Sequence, residues 1–319
     1  MLSYQTVGKN WLLTFVAVWG CSLVAAPASA LQFRETFKPK LEPTMDLGSL
    51  SSWMMTYYQN PEPDKFVEAV KALSTANRLH DTSPQARPDV SLMFLGKIIE
   101  ANPDRVADWM EALSDLPEQE FSAVKRALWY AGTPPALEWL RKHGESALAD
   151  GPRPLLLSSQ AAMPAQPHHI DQLWEWYFAT GEPDPVYRIA SLFSLAYALP
   201  PEDSSKLLSP PTKGNDEGLY QVQMYNYRLL NPALWSCASI ATQDDKVLAT
   251  LIKAKEKQKS DRSKAWIARV IEVAETRRKE RLKDSKPAKI SELPKATAEL
   301  SGAWKFTPCL LYTSDAADE

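Results

Sequence analysis

Glycine and cysteine are scarce in this chain, 11 and 3 of 319 residues, while proline is plentiful at 25. Little glycine excludes an all-β chain, whose closely spaced turns demand positive φ. Cys21 falls in a leader-like segment and Cys309 in an aberrant tail, so Cys237 stands alone and has no internal disulfide partner. It reads as a buried helix residue. The formal charge of -3 is too near balance for a dedicated nucleic-acid binder, and no nucleic-acid partner is expected. The sequence also lacks a His-Glu-x-x-His pair, a Gly-rich phosphate loop, a Gly-x-Ser-x-Gly elbow and a dinucleotide fingerprint. Neither a metal nor a cofactor is expected. What is present in quantity is apolar surface, 45% of residues, enough for a substantial core.

The two ends differ from the rest. Residues 1–30 have Lys9, an apolar run over 11–19 and Ala28-Ser29-Ala30, the pattern of a cleaved secretory signal peptide. The run is too short to span a bilayer comfortably. An exported, periplasmic protein is expected, with lipidation at Cys21 in Val18-Trp19-Gly20-Cys21 as the lesser alternative. Residues 31–48 read as an extended segment. At the far end, residues 309–319 resemble the translation of a transposase-type sequencing adapter, so a natural C-terminus beyond Pro308 is expected to be missing. Residues 291–308 read as a linker and the start of a truncated β segment, because Gly302-Ala303-Trp304 resembles the Gly-x-Trp entry strand of lipocalin-like domains.

From residue 49 to 290 the apolar period is helical, and the expected fold is all-α. Asn102-Pro103, Thr133-Pro134, Asp184-Pro185 and Asn231-Pro232 each place a capping residue before a proline suited to the first helical position. The pattern predicts helices over 49–59, 64–76, 89–101, 103–114, 118–131, 134–143, 169–180, 185–199, 217–230, 232–241, 244–257 and 261–284. Val90, Met93, Phe94, Leu95, Ile98 and Ile99 make 89–101 a central helix. The stretch from Trp53 through Glu62-Pro63-Asp64 can be laid against that from Leu173 through Glu182-Pro183-Asp184, each an αα-hairpin. Looser copies begin at Leu234-Trp235 and Leu128-Trp129. Such irregular copies predict stacked hairpins in a solenoid-like array, with a hinge possible over 150–167.

Two features are candidates for function. Trp174, Trp176, Tyr177 and Tyr187 in one hairpin, and Trp53 and Tyr57 in another, would bind a peptide or glycan if they lined a concave face. Otherwise they pack between hairpins. Residues 253–289 hold 14 Lys and Arg against 6 Asp and Glu, a net +8 that leaves -11 for the remainder. Its run Thr276-Arg277-Arg278-Lys279-Glu280-Arg281 has no apolar face and is expected in solvent, either as a plain helix end or as a contact for an acidic partner, anionic lipid or polymer. His168-His169 with Asp171 suggests ligands by type, but adjacent histidines on a helix diverge.

By its hairpin texture over 49–284 the chain resembles exported bacterial helical-repeat proteins of a loosely tetratricopeptide-like kind. That resemblance implies a non-enzymatic envelope scaffold or interaction module, whose partner is another envelope protein or peptide. An envelope-polymer hydrolase with dispersed carboxylates as acid and base is the alternative. A cleft holding a carboxylate of raised pKa would favour the hydrolase, and an aromatic groove free of titratable clusters the module.

Overall fold

A computed structural model describes residues 45–79, 91–158, 163–198 and 211–284. The leader, Cys21, residues 31–44, 291–308 and 309–319, and the tail of the basic stretch beyond 284 lie outside the described residues.

The described chain is all helical, with thirteen α-helices, four short 3-10 turns and no strand among the described residues. In order these are α1 (Leu47–Thr56), α2 (Phe66–Thr75), α3 (Leu92–Ala101), α4 (Val106–Ala112), α5 (Glu118–Ala131), α6 (Pro134–Lys142), α7 (Ser146–Ala149), α8 (Leu155–Ser158), α9 (Pro167–Thr180), α10 (Asp184–Ser191), α11 (Glu217–Gln243), α12 (Asp245–Lys257) and α13 (Asp261–Asp284).

Helix α3 shows why the core forms where it does. Leu92, Met93, Phe94, Leu95, Ile98 and Ile99 are at most 1% exposed, because apolar residues cover both flanks of the helix and it packs between α5 and α9. Gly96 permits the close approach to α5, since a Cβ there would lie 2.6 Å from Cβ of Tyr130. Helix α9 in turn meets α1, α10 and α11, and α13 packs against α11 and α12. One continuous cluster of buried side chains runs from Met45 to Ala274.

Proline junctions mark helix starts at Pro103 and Pro134, but the expected caps are used otherwise. Asn102 Nδ2 donates back to the Ile98 carbonyl at 2.8 Å, closing α3, and Asp184 pairs with Arg188 Nε at 2.9 Å. The side chains that do cap are Asp46, to Ser49 N–H at 2.8 Å, Asp216, to Leu219 N–H at 3.0 Å, and Asp244, to Lys246 and Val247 N–H at 2.9 and 3.2 Å.

At Asn231-Pro232 the expectation of two helices is corrected. A single 27-residue helix, α11, runs through the proline. A mid-helix proline forfeits one backbone hydrogen bond and crowds the carbonyl four residues back. Burial of Leu229, Leu230, Ala233, Cys237, Ala238, Ile240 and Ala241 along one side outweighs that cost and keeps both halves in one phase. Consecutive helices touch in the pairs α1 with α2, α5 with α6, α9 with α10, and α11 with α12. No described helix is long and apolar enough to cross a membrane.

Candidate interaction surface

The aromatic candidates do not gather on one accessible face. Trp53, Tyr57, Trp174, Trp176 and Tyr177 are all buried, and Tyr187 is half-buried with Lys257 Nζ 4.2 Å from its ring centre. Trp53 and Tyr57 form an edge-to-face trio with Phe94, centroids 5.2 to 5.7 Å apart, which ties α1 to α3. Trp176 lies between cations, with Lys97 Nζ 4.1 Å and Arg188 Cζ 5.3 Å from the ring, and its Nε1 donates to Glu182 at 2.8 Å. These rings pack helices against one another.

Two carboxylates unremarked as a pair in the sequence take structural posts. Asp244 Oδ2 accepts from Tyr58 at 2.7 Å and Tyr177 at 2.8 Å, so the turn after α1, helix α9 and the α11–α12 junction meet on one carboxylate while its Oδ1 caps α12. Burial first, then the hydrogen bond with Tyr58 and the nearby Asp244, pushes the Tyr177 hydroxyl far above its usual range. Gly181, at φ +65, lets the α9–α10 turn pass against the Tyr58 ring, since a Cβ there would sit 2.4 Å from Cδ2. Glu175 is fully buried. Its Oε1 accepts the backbone N–H of Ser91 at the head of α3, while Oε2 finds no partner. Desolvation pushes its pKa up to about 8 against the pull of that N–H, and the charge of Asp171 adds to the rise. Glu182 accepts from Trp176 Nε1, while Glu175 is buried.

A cleft of about 530 Å³ does lie among α4, α5 and α6, floored by Met110, Phe121 and Trp139. Glu111 at its edge is exposed, while Lys125 and His143 are engaged by neighbouring residues. Lys125 is 2.6 Å from Glu145, and His143 stacks on Trp139 with centroids 3.7 Å apart and its Nδ1 2.7 Å from the Trp139 carbonyl. Glu175 lies in the α3–α9 core and is not among the residues lining the cleft. His168 and His169 sit in the first turn of α9, where Ala165 N–H donates to His169 Nδ1 at 3.1 Å and burial lowers the pKa of His169. Among the described residues no group of three or more His, Cys, Asp or Glu could hold a metal ion.

The basic end of α13 divides into two kinds of residue, which corrects the expectation that the whole run lies in solvent. Arg278 is half-buried, and its Nε donates to the Ala241 carbonyl at 2.9 Å and its Nη1 to Asp245 Oδ1 at 2.5 Å. It satisfies an orphan carbonyl at the end of α11 and anchors the start of α12. Arg277 lies with Cζ 5.1 Å from the Trp235 ring centre. Lys279 and Arg281 are exposed.

Trp235, which was read only as part of a repeat, is 36% exposed and is the one exposed tryptophan among the described residues. Its position follows from the uninterrupted phase of α11. Tyr225, Arg228, Pro232 and Trp235 recur at three- and four-residue steps on the side opposite the buried Leu230, Ala233 and Cys237. Carrying the helical period through Pro232 would have found it. No family profile matches this chain, nor does any curated protein or solved structure match it.

Proposed function

We propose that this protein is a non-enzymatic interaction or scaffold module of the bacterial envelope, built as an irregular stack of αα-hairpins, with its contact surface on α11 and the end of α13. The observation that carries this reading is Trp235, held at the surface with Arg277 across its ring while Lys279 and Arg281, two and four residues beyond Arg277, are exposed. Tryptophan and arginine dominate the energetics of protein contacts, and an exposed ring already braced by a guanidinium loses little freedom on binding. The leader-like residues 1–30 support an exported location. The buried rings of α1 and α9 serve the stack, so the contact does not depend on them.

Affinity capture from an envelope extract tests this reading, comparing wild type with Trp235→Ala and with a Lys279→Glu, Arg281→Glu pair. Each variant is expected to reduce recovery of the same stoichiometric partner at least tenfold while retaining the wild-type melting temperature within about 2 °C. Equal recovery on all three proteins would place the contact elsewhere, and hydrolysis of an envelope polymer by the wild type would contradict a non-enzymatic role.

A further inference from the structure

We infer that the outward strip of α11 formed by Tyr225, Arg228, Pro232 and Trp235 receives an acidic amphipathic helix; this rests on the interaction-module reading and names the chemistry of the partner. The four residues fall within about 45° of one direction at 3.6 residues per turn and extend over about 15 Å at 1.5 Å per residue. Their steps of three and four residues are the spacing at which a second helix sets its own side chains between ridges. Tyr225 is 47% exposed and Trp235 36%, while their neighbours Leu229, Leu230, Ala233 and Cys237 are covered. The apolar part of the strip is therefore a surface ridge backed by a packed core.

Charge selects the sign of the partner. Between Glu217 and Asp244 the helix holds no carboxylate, and its single cation there is Arg228. Arg228 is paired with no carboxylate among the described residues. Arg277 adds a second positive charge at the Trp235 end. The nearest carboxylate of α12, Asp245, is bound to Arg278. A helix with leucine-like side chains at every third or fourth position and glutamate or aspartate beside them would cover Tyr225, Pro232 and Trp235 and bring its carboxylates to Arg228 and Arg277. A basic helix would meet two unopposed guanidinium groups. A strip this short buries less than a standard interface, so the contact is expected to be weak, with Kd on the order of 10 μM.

The test is selection from a displayed library of random 16-residue helical peptides against the full chain, followed by titration of the winners. Enriched peptides are expected to carry net negative charge, to bind at least tenfold more weakly to Arg228→Glu and to Trp235→Ala, and to lose affinity as salt rises from 50 to 300 mM. Enrichment of neutral or basic peptides, or equal binding to Arg228→Glu, would overturn the proposal. Vesicles of anionic lipid are the second probe, and binding to them through Arg228 and Arg277 without any acidic peptide would overturn it in favour of a membrane surface. Should no peptide be enriched while the wild type still captures a partner through Trp235, the acidic-helix proposal falls and the module reading stands.

Discussion

Burial decides what the ionisable residues do. Glu175 is buried against the head of α3, with one carboxyl oxygen on the Ser91 N–H and the other unpaired. Its pKa near 8 in the fold exceeds the usual 4.5, so the folded state holds a proton that the unfolded state has released between these values. The stabilisation is complete below pH 4.5 and is lost as pH rises through 8. Urea unfolding of wild type is expected to show stability falling from pH 5 to pH 9 by an amount on the order of 3–5 kcal/mol more than in Glu175→Gln, whose amide cannot ionise. Parallel pH curves for the two proteins would contradict the burial of that carboxyl. Asp244 is an acceptor for two tyrosine hydroxyls and two backbone N–H groups. Removing it leaves the buried Tyr177 hydroxyl short of its acceptor, so Asp244→Ala should cost about 3 kcal/mol in chemical denaturation, and Tyr58→Phe only about 1 kcal/mol.

Elements are set by pattern until tertiary packing overrides a local signal. Proline 232 is the clearest case, because the same residue that starts a helix at Pro103 and Pro134 lies inside α11. If the helix is continuous, Pro232→Ala restores a hydrogen bond to the Arg228 carbonyl and relieves a clash, raising stability by about 1–3 kcal/mol. A proline that instead began a separate helix would give no change or a loss on the same substitution. The all-α class and the central place of α3 were legible because Leu92 to Ile99 and the glycine- and proline-marked turns repeat the helical signals at several levels. Trp235 was not, since breaking the helix at Pro232 resets the phase on which its outward direction depends. Nor could composition say whether Trp174 and Tyr177 face a groove or a core; that is fixed by α3 and by Asp244, 67 residues beyond Tyr177 in the chain. Arg278 looked like one more solvated charge, and only the nearby Ala241 carbonyl and Asp245 reveal it as a clasp.

Among the described residues, most tryptophans are buried or half-buried, and the one exposed tryptophan, Trp235, lies on α11 beside Arg277 of α13, the surface proposed for contact. Charge is unevenly divided, with net +8 over residues 253–289 and -11 over the remainder of the chain. Salt at several hundred millimolar should therefore weaken partner capture through this surface while leaving the buried cluster from Met45 to Ala274 unaffected. Site-specific photo-crosslinking reads the proposed surface most directly, with a photoreactive side chain placed at Trp235 in one sample and at Trp176 in another, each exposed to envelope extract and illuminated. A discrete adduct from position 235 and none from position 176 is the expected result. An adduct from 176 with none from 235 would mean that the aromatic core opens to its partner and that the α11 surface is not the site of contact.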